Sequence, residues 1–131
     1  MQKLLDLGLS EIEIKNILEM CPNILNLTNI DINNKIEILK SIDCNNRHIK
    51  NILISNPYYL DRSDDDILNL IKKLIEIRIT DINLLFDSNP YFLNKDAYEI
   101  EEYINFEISK GYNLEDIIDK IETNPYIVDV V

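Results

Sequence analysis

Large apolar residues recur along the chain at helical spacing, and each run ends on a proline. Ile14, Ile49, Ile82 and Ile117 stand eight residues before a proline, and Leu18, Leu53, Phe86 and Ile121 stand four before one. Offsets of four fall on one face of an α-helix. The prolines themselves, Pro22, Pro57, Pro90 and Pro125, are spaced by 35, 33 and 35 residues, a period that marks a repeat architecture. The residue before each is Cys21, Asn56, Asn89 or Asn124, and Leu25, Leu60, Leu93 or Val128 stands three places after it. Each repeat therefore closes on x-P-x-h-h, with h apolar.

Capping residues set the boundaries. Ser10, Asn45 and Asn113 lie twelve residues before their prolines and are good N-cap types, and Ser10 with Glu13 and Asn113 with Asp116 have capping-box spacing. The third repeat is two residues short; there Thr80 takes the cap, and the deletion is assigned to a turn. These signals predict a helix of about ten residues before each proline. Asparagine before proline reads as a cap with Pro at N1, where its missing N–H is no loss, so a short third helical turn starts at Pro57, Pro90 and Pro125. Upstream, Ile36, Leu39 and Ile42, then Ile67, Leu70, Ile71 and Leu74, give the spacing of an amphipathic first helix. Ser63 followed by Asp64, Asp65 and Asp66 is its start signal, with carboxylates on the positive end of the helix dipole. No window alternates strictly between Gly-rich hairpin turns, so no sheet is expected. Each unit is helix, helix, short turn, and burying one unit's apolar face on the next makes a single stack. The reading is one all-α domain over 1–131, with repeats near 1–27, 28–62, 63–94 and 95–131.

The stretch from Leu4 to Leu25, with Leu7-Gly8 in a turn, Ser10 as cap, Ile17-Leu18 paired in the helix and then Pro22 and Leu25, resembles the repeat of the mitochondrial transcription termination factor family. Gly8 is matched by Gly111, while Asp43 and Glu76 are assigned to the corresponding turns of the middle repeats. The resemblance covers almost the whole chain. It implies a right- or left-handed solenoid of about four repeats, each of two α-helices plus a short 3₁₀ turn starting at proline, and a basic concave surface used on nucleic acid. Tetratricopeptide and pentatricopeptide arrays have a similar period but pack through small residues. Here the place five before the proline holds Ile17, Ile52, Leu85 and Lys120.

Charge conflicts with that implied surface. The chain of 131 residues carries 24 acids against 13 bases, a net charge of -11, whereas nucleic-acid affinity comes largely from Lys and Arg displacing counterions. An apolar fraction of 46% excludes a disordered acidic tail. Acids gather at first-helix starts: Asp61 with Asp64, Asp65 and Asp66, then Asp96 with Glu99, Glu101 and Glu102, plus Glu115, Asp116, Asp119 and Glu122 in the last unit. Bases gather near first-helix ends at Lys40, Lys72, Lys73 and Lys110, joined by Lys15 and Lys50. Dipole complementarity accounts for much of this separation and leaves a narrow lysine seam on an acidic body.

Little points to catalysis. His48 is the sole histidine and reads as a surface residue without a nucleophile partner. Consecutive residues on a helix diverge, so Asp64, Asp65 and Asp66 read as cap and dipole partners rather than metal ligands. Two glycines cannot build a phosphate-cradling loop. No cofactor or metal is expected, and the protein is read as no enzyme. Cys21 and Cys44 form no C-x-x-C pair and read as reduced, cytoplasmic thiols. The N-terminus lacks an unbroken apolar signal region, and no uncharged apolar run approaches the ~20 residues of a membrane span.

Tyrosine follows proline at Tyr58, Tyr91 and Tyr126, with Tyr59 or Phe92 beside two of them. In a stack these recur on one edge and suit an interface, or they pack the turn onto the next unit. The expectation is a non-enzymatic protein-interaction module working through this acidic, Tyr-edged surface. Its specific form is a nucleic-acid-mimicking inhibitor seated in the basic cleft of a nucleic-acid-binding enzyme. The alternative is a nucleic-acid-binding regulator using the lysine seam. The chain stops at Tyr126-Ile127-Val128-Asp129-Val130-Val131 without a polar capping repeat, so this end either packs back on the last unit or makes a homodimer contact.

Overall fold

Helices fall where the proline spacing places them. The computed structural model describes residues 1–130, excepting the side chains of residues 129 and 130. Its elements are α1 (Gln2–Asp6), α2 (Glu11–Met20), a 3₁₀ turn (Pro22–Asn26), α3 (Asn29–Ser41), α4 (Asn46–Ser55), a 3₁₀ turn (Pro57–Asp61), α5 (Asp64–Glu76), α6 (Ile82–Ser88), a 3₁₀ turn (Pro90–Asn94), α7 (Ala97–Ser109), α8 (Leu114–Thr123) and a 3₁₀ turn (Pro125–Val130). The order helix, helix, 3₁₀ turn thus recurs along an all-α chain, and the described residues contain no strand.

The chain forms two compact units, Met1–Asp64 and Asp65–Val131. In the first, α1 packs on α3, α2 on α4, and the turn at Pro22 on the turn at Pro57. Ile14, Ile17, Ile49, Ile52 and Leu53 fill the space between them, each contributing roughly 1.5–3 kcal/mol for full burial. In the second unit α7 packs on α8, and Ile82, Phe86, Ile117 and Ile121 are buried at the places the sequence periodicity marks.

Every first helix ends in the same motif. Gly8, Asp43, Arg78 and Gly111 all have positive φ, at 101°, 68°, 68° and 99°. At each, two backbone bonds of the Schellman type close the helix, as from Gly8 N–H to Leu5 O and from Leu9 N–H to Leu4 O. The third turn therefore centres on Arg78, two residues later than the Glu76 assigned to it. The two-residue deletion then lies beyond the turn: α6 has seven residues where α2, α4 and α8 have ten. Thr80 does not cap α6. Asp81 holds that place without a side-chain bond, and the Thr80 hydroxyl donates to Glu122 Oε2 at 3.0 Å.

Other starts match the capping signals. Ser10 with Glu13 forms a full capping box, as do Thr28 with Asp31 and Asp96 with Glu99. Asn45 and Asn113 accept from the N–H of His48 and Asp116, but at Asn113 only that half of the expected box forms. Backbone N–H donation from Ser10 holds the Glu13 carboxyl below its ordinary value of 4.5, and that from Thr28 holds Asp31 below 3.8.

The asparagine before proline holds the N-cap place of the 3₁₀ turn with Pro at its first position, as expected, but its side chain makes no capping bond. Asn56 and Asn89 are fully buried C-caps of α4 and α6, with φ of -138° and N–H groups donating to Ile52 O and Leu85 O; neither side chain caps the 3₁₀ turn. That backbone turns the carboxamide inward. Asn89 Nδ2 donates to Pro125 O at 3.4 Å, 36 residues on, while its Oδ1 is buried without a partner. Two further placements differ from the pattern. Leu25 is 66% exposed and Ile24 is buried instead, matching Tyr59 and Phe92 in the later repeats. His48 is buried rather than on the surface, because its spacing of four from Ile52 puts it on the inward face of α4.

Candidate interaction surface

The 3₁₀ turns sort their aromatics into two directions. Tyr59 and Phe92 are fully buried, the first with its hydroxyl donating to Lys35 O at 2.6 Å, the second 6.2 Å from the Phe86 ring centre. Burial and the charge of Asp64 push the Tyr59 phenol well above its usual range. Tyr58, Tyr91 and Tyr126 are 47%, 48% and 50% exposed. Packing of the turn therefore falls to the neighbouring aromatic, leaving the residue after each proline facing solvent. Tyr58 belongs to the first unit; Tyr91 and Tyr126 belong to the second.

Most acids of the expected protein-binding surface are already engaged. In the first unit Asp61 accepts from Asn23 Nδ2 at 2.5 Å, and Asp64 is paired with Lys35. In the second, Asp96 caps α7, Glu99 closes its box and lies 3.6 Å from Lys95, and Glu101 lies 3.6 Å from Lys73. A hydrogen bond to Glu102 raises the Tyr98 phenol. Asp65 and Asp66 are exposed in the first turn of α5. The helix-start signals thus mark real starts, and their carboxylates serve local structure as well as the surface.

The lysines are engaged in the same way. Lys40 stands 3.7 Å from Glu37, Lys73 faces Glu101, and Lys110 stands 3.6 Å from Glu107 while lying 4.3 Å above the Phe106 ring centre. Lys50 is half-buried and lowers the Glu13 carboxyl; Lys15 and Lys72 are exposed. Lys72 and Lys73 share their cleft with Glu76 and Glu101. A phosphate binding there would have to displace or oppose those carboxylates.

Charge is unequal between the units, which the linear sequence did not reveal until the boundary at Asp64 was drawn. Residues 1–64 hold seven bases against nine acids, a net charge of -2; residues 65–131 hold six against fifteen, a net charge of -9. The acidity is therefore a property of the second unit.

Among the described residues no three of His, Cys, Asp and Glu are arranged to hold a metal ion. His48 is buried with Arg47 Nη2 3.4 Å from its Nε2. Cys21 and Cys44 are buried thiols, and burial together with the Asp61 charge raises Cys21 above its ordinary value, away from nucleophilic reactivity. No helix of the described residues is long and apolar enough to cross a membrane. The C-terminal end turns back onto its own unit: Val128 is buried beside Ile100 and Tyr103, and Pro125 O accepts from Asn89. Val131 and the side chains of Asp129 and Val130 lie outside the described residues.

In comparison with known proteins, the model of the mTERF family fits residues 1–119. No curated protein and no solved structure matches the chain.

Proposed function

The chain belongs to the mTERF family, a helical-repeat family generally linked to nucleic-acid binding whose members are not typical enzymes, and on that scaffold we propose that it is a non-enzymatic interaction module for a basic protein surface. The observation that carries this reading is the net charge of -9 on residues 65–131. A field of that sign steers a basic partner inward and repels a phosphate backbone. The half-exposed Tyr91 and Tyr126 on the same unit supply aromatic contact area of the kind interfaces favour. The finer form is an acidic decoy that occupies the basic cleft of a nucleic-acid-binding enzyme, since such a cleft is built to accept this charge density. Buried Cys21 and Cys44 thiols fit a reducing compartment such as the cytoplasm.

Family membership favours a second reading, nucleic-acid binding along Lys15, Lys40, Lys50, Lys72, Lys73 and Lys110. Gel-shift titration at low salt with single- and double-stranded DNA and RNA, beside association with a purified basic protein followed at several salt concentrations, separates the two. The protein-binding reading expects salt-sensitive association and no shift at micromolar protein. A tight nucleic-acid complex with a steep salt slope refutes it.

A further inference from the structure

The second unit carries an open groove of about 640 Å³ between the end of α5 and the outer face of α8. Its floor comes from a second apolar ridge. Ile117 and Ile121 point α8 into the core, whereas Leu114 and Ile118, one turn apart, line the groove, Leu114 at 44% exposure. Glu115, Asp119 and Glu122 flank the ridge at spacings of four and three, and Glu76 stands opposite. Arg78 is the one base in the lining.

These carboxylates differ from those at the first-helix starts. Glu122 accepts from Thr80, but among the described residues the side chains of Glu76, Glu115 and Asp119 cap no helix and pair with no base. Glu115 also lies in the first turn of α8, where the helix dipole favours a carboxylate; Glu76 and Asp119 have no such local role. An apolar floor rimmed by uncommitted negative charge is complementary to one kind of occupant, a segment with apolar side chains on one face and Lys or Arg on the other. Nucleic acid has the wrong sign, and a plain cation would leave Leu114 and Ile118 wet.

We propose that this groove docks a basic amphipathic helix of a protein partner, apolar side chains seated on Leu114 and Ile118 and basic ones on Glu76, Glu115 and Asp119. The proposal rests on the basic-partner reading above and locates it on α8 instead of at the starts of α5 and α7.

The test uses the full chain and a short fluorescent peptide of Lys and Leu with its leucines at helical spacing, read by anisotropy at low and raised salt. An oligolysine of equal charge is the comparison. Three double variants, checked for folding by circular dichroism, are Glu115→Lys with Asp119→Lys, Leu114→Ser with Ile118→Ser, and Glu101→Lys with Glu102→Lys on α7. The expected result is salt-sensitive binding of the amphipathic peptide, weakened about tenfold or more by either α8 pair and about twofold or less by the α7 pair. Equal affinity for oligolysine overturns the groove, because the apolar floor then contributes nothing. Loss through the α7 pair alone also overturns it, while leaving the acidic-surface reading intact. No binding of either cationic probe overturns both. A concentration-dependent dimer that Leu114→Ser with Ile118→Ser abolishes puts a second copy in the groove and likewise overturns the proposal.

Discussion

Lys35 is the buried cation of the first unit, and its partner decides what it costs. Its side chain is 6% exposed and its ammonium is paired with Asp64, which is 39% exposed. Breaking a fully buried pair by removing one partner costs about 3–5 kcal/mol, whereas replacing the whole pair by apolar groups is near neutral. Water reaches Asp64, so screening lowers the first figure. We expect Asp64→Ala to destabilise the unit by about 2 kcal/mol, chiefly by stranding the Lys35 charge. Lys35→Met keeps the packing stem and removes the charge, and should fall within about 1 kcal/mol of the wild type. The backbone carbonyl of Lys35 that accepts from Tyr59 is untouched by either change. Asp64 also sits in the first turn of α5, where loss of its dipole interaction costs about 0.3–1 kcal/mol. Asp64→Ala made on top of Lys35→Met isolates that smaller term, so the pair coupling should come out at about 1–1.7 kcal/mol. Urea denaturation followed by far-UV circular dichroism, with near-UV signals to check that the transitions coincide, measures all four chains. If Asp64→Ala costs no more than Lys35→Met, or the coupling is zero, the assignment of a stranded charge is wrong.

Further outcomes follow from single positions. Arg78 holds φ at 68°, which costs a non-glycine residue about 1 kcal/mol, so Arg78→Gly should raise stability by about 0.5–1 kcal/mol; it should also tighten the amphipathic peptide by removing the groove's one base, and a lowered urea midpoint would refute the strain. Asn89→Asp sets a buried carboxylate against Pro125 O and should cost about 2–4 kcal/mol at neutral pH, with partial recovery near pH 4, where the protonated acid can donate again; an equal loss at both pH values would refute the role given to that bond. Glu13 is held below 4.5 in the folded state, so its contribution is present above its unfolded value and disappears as pH falls through the folded one. Glu13→Gln, which keeps the box acceptor without the charge, should therefore trail the wild type at pH 7 and match it near pH 3 in the same denaturation assay. A difference constant across that range would count against the carboxylate.

What could be read from the sequence is what is local to one helix. Ile14 to Leu18 to Pro22, repeated down the chain, is a spacing within two turns, and α2, α4, α6 and α8 with the proline-initiated 3₁₀ turns follow it. Asn89 stands at the cap place its proline marks, but its side-chain bond to Pro125 O spans 36 residues, which no window shows. His48, Lys35 and Glu107 are buried at places that share a helix face with Ile52, Leu39 and Tyr103. Spacing alone would have found them, but a polar residue at an inward position is read as facing water unless its partner is known.

The same limit governs the site, and it explains why the acids of α8 stand out in the sequence only as part of the general acidity, with nothing to set them apart from those at helix starts. A cap is a local motif, so Asp96 and Glu99 announce themselves; an uncommitted carboxylate is defined by what is absent around it, which only the assembled unit reveals. Once the chain is divided at Asp64, thirteen bases set against 24 acids become a nearly neutral first unit and a second unit with nine excess negative charges. Helix capping accounts for Asp96 and Glu99, and ion pairing for Glu101 and Glu107. Glu76 and Asp119, which neither cap a helix nor pair with a base, stand with Glu115 beside an apolar ridge that the unit's own core does not use. On the proposed reading, a family scaffold linked to nucleic acid carries in this member a charge suited to a basic, partly apolar surface, and the sign of the second unit and the place of its groove argue for the same class of partner.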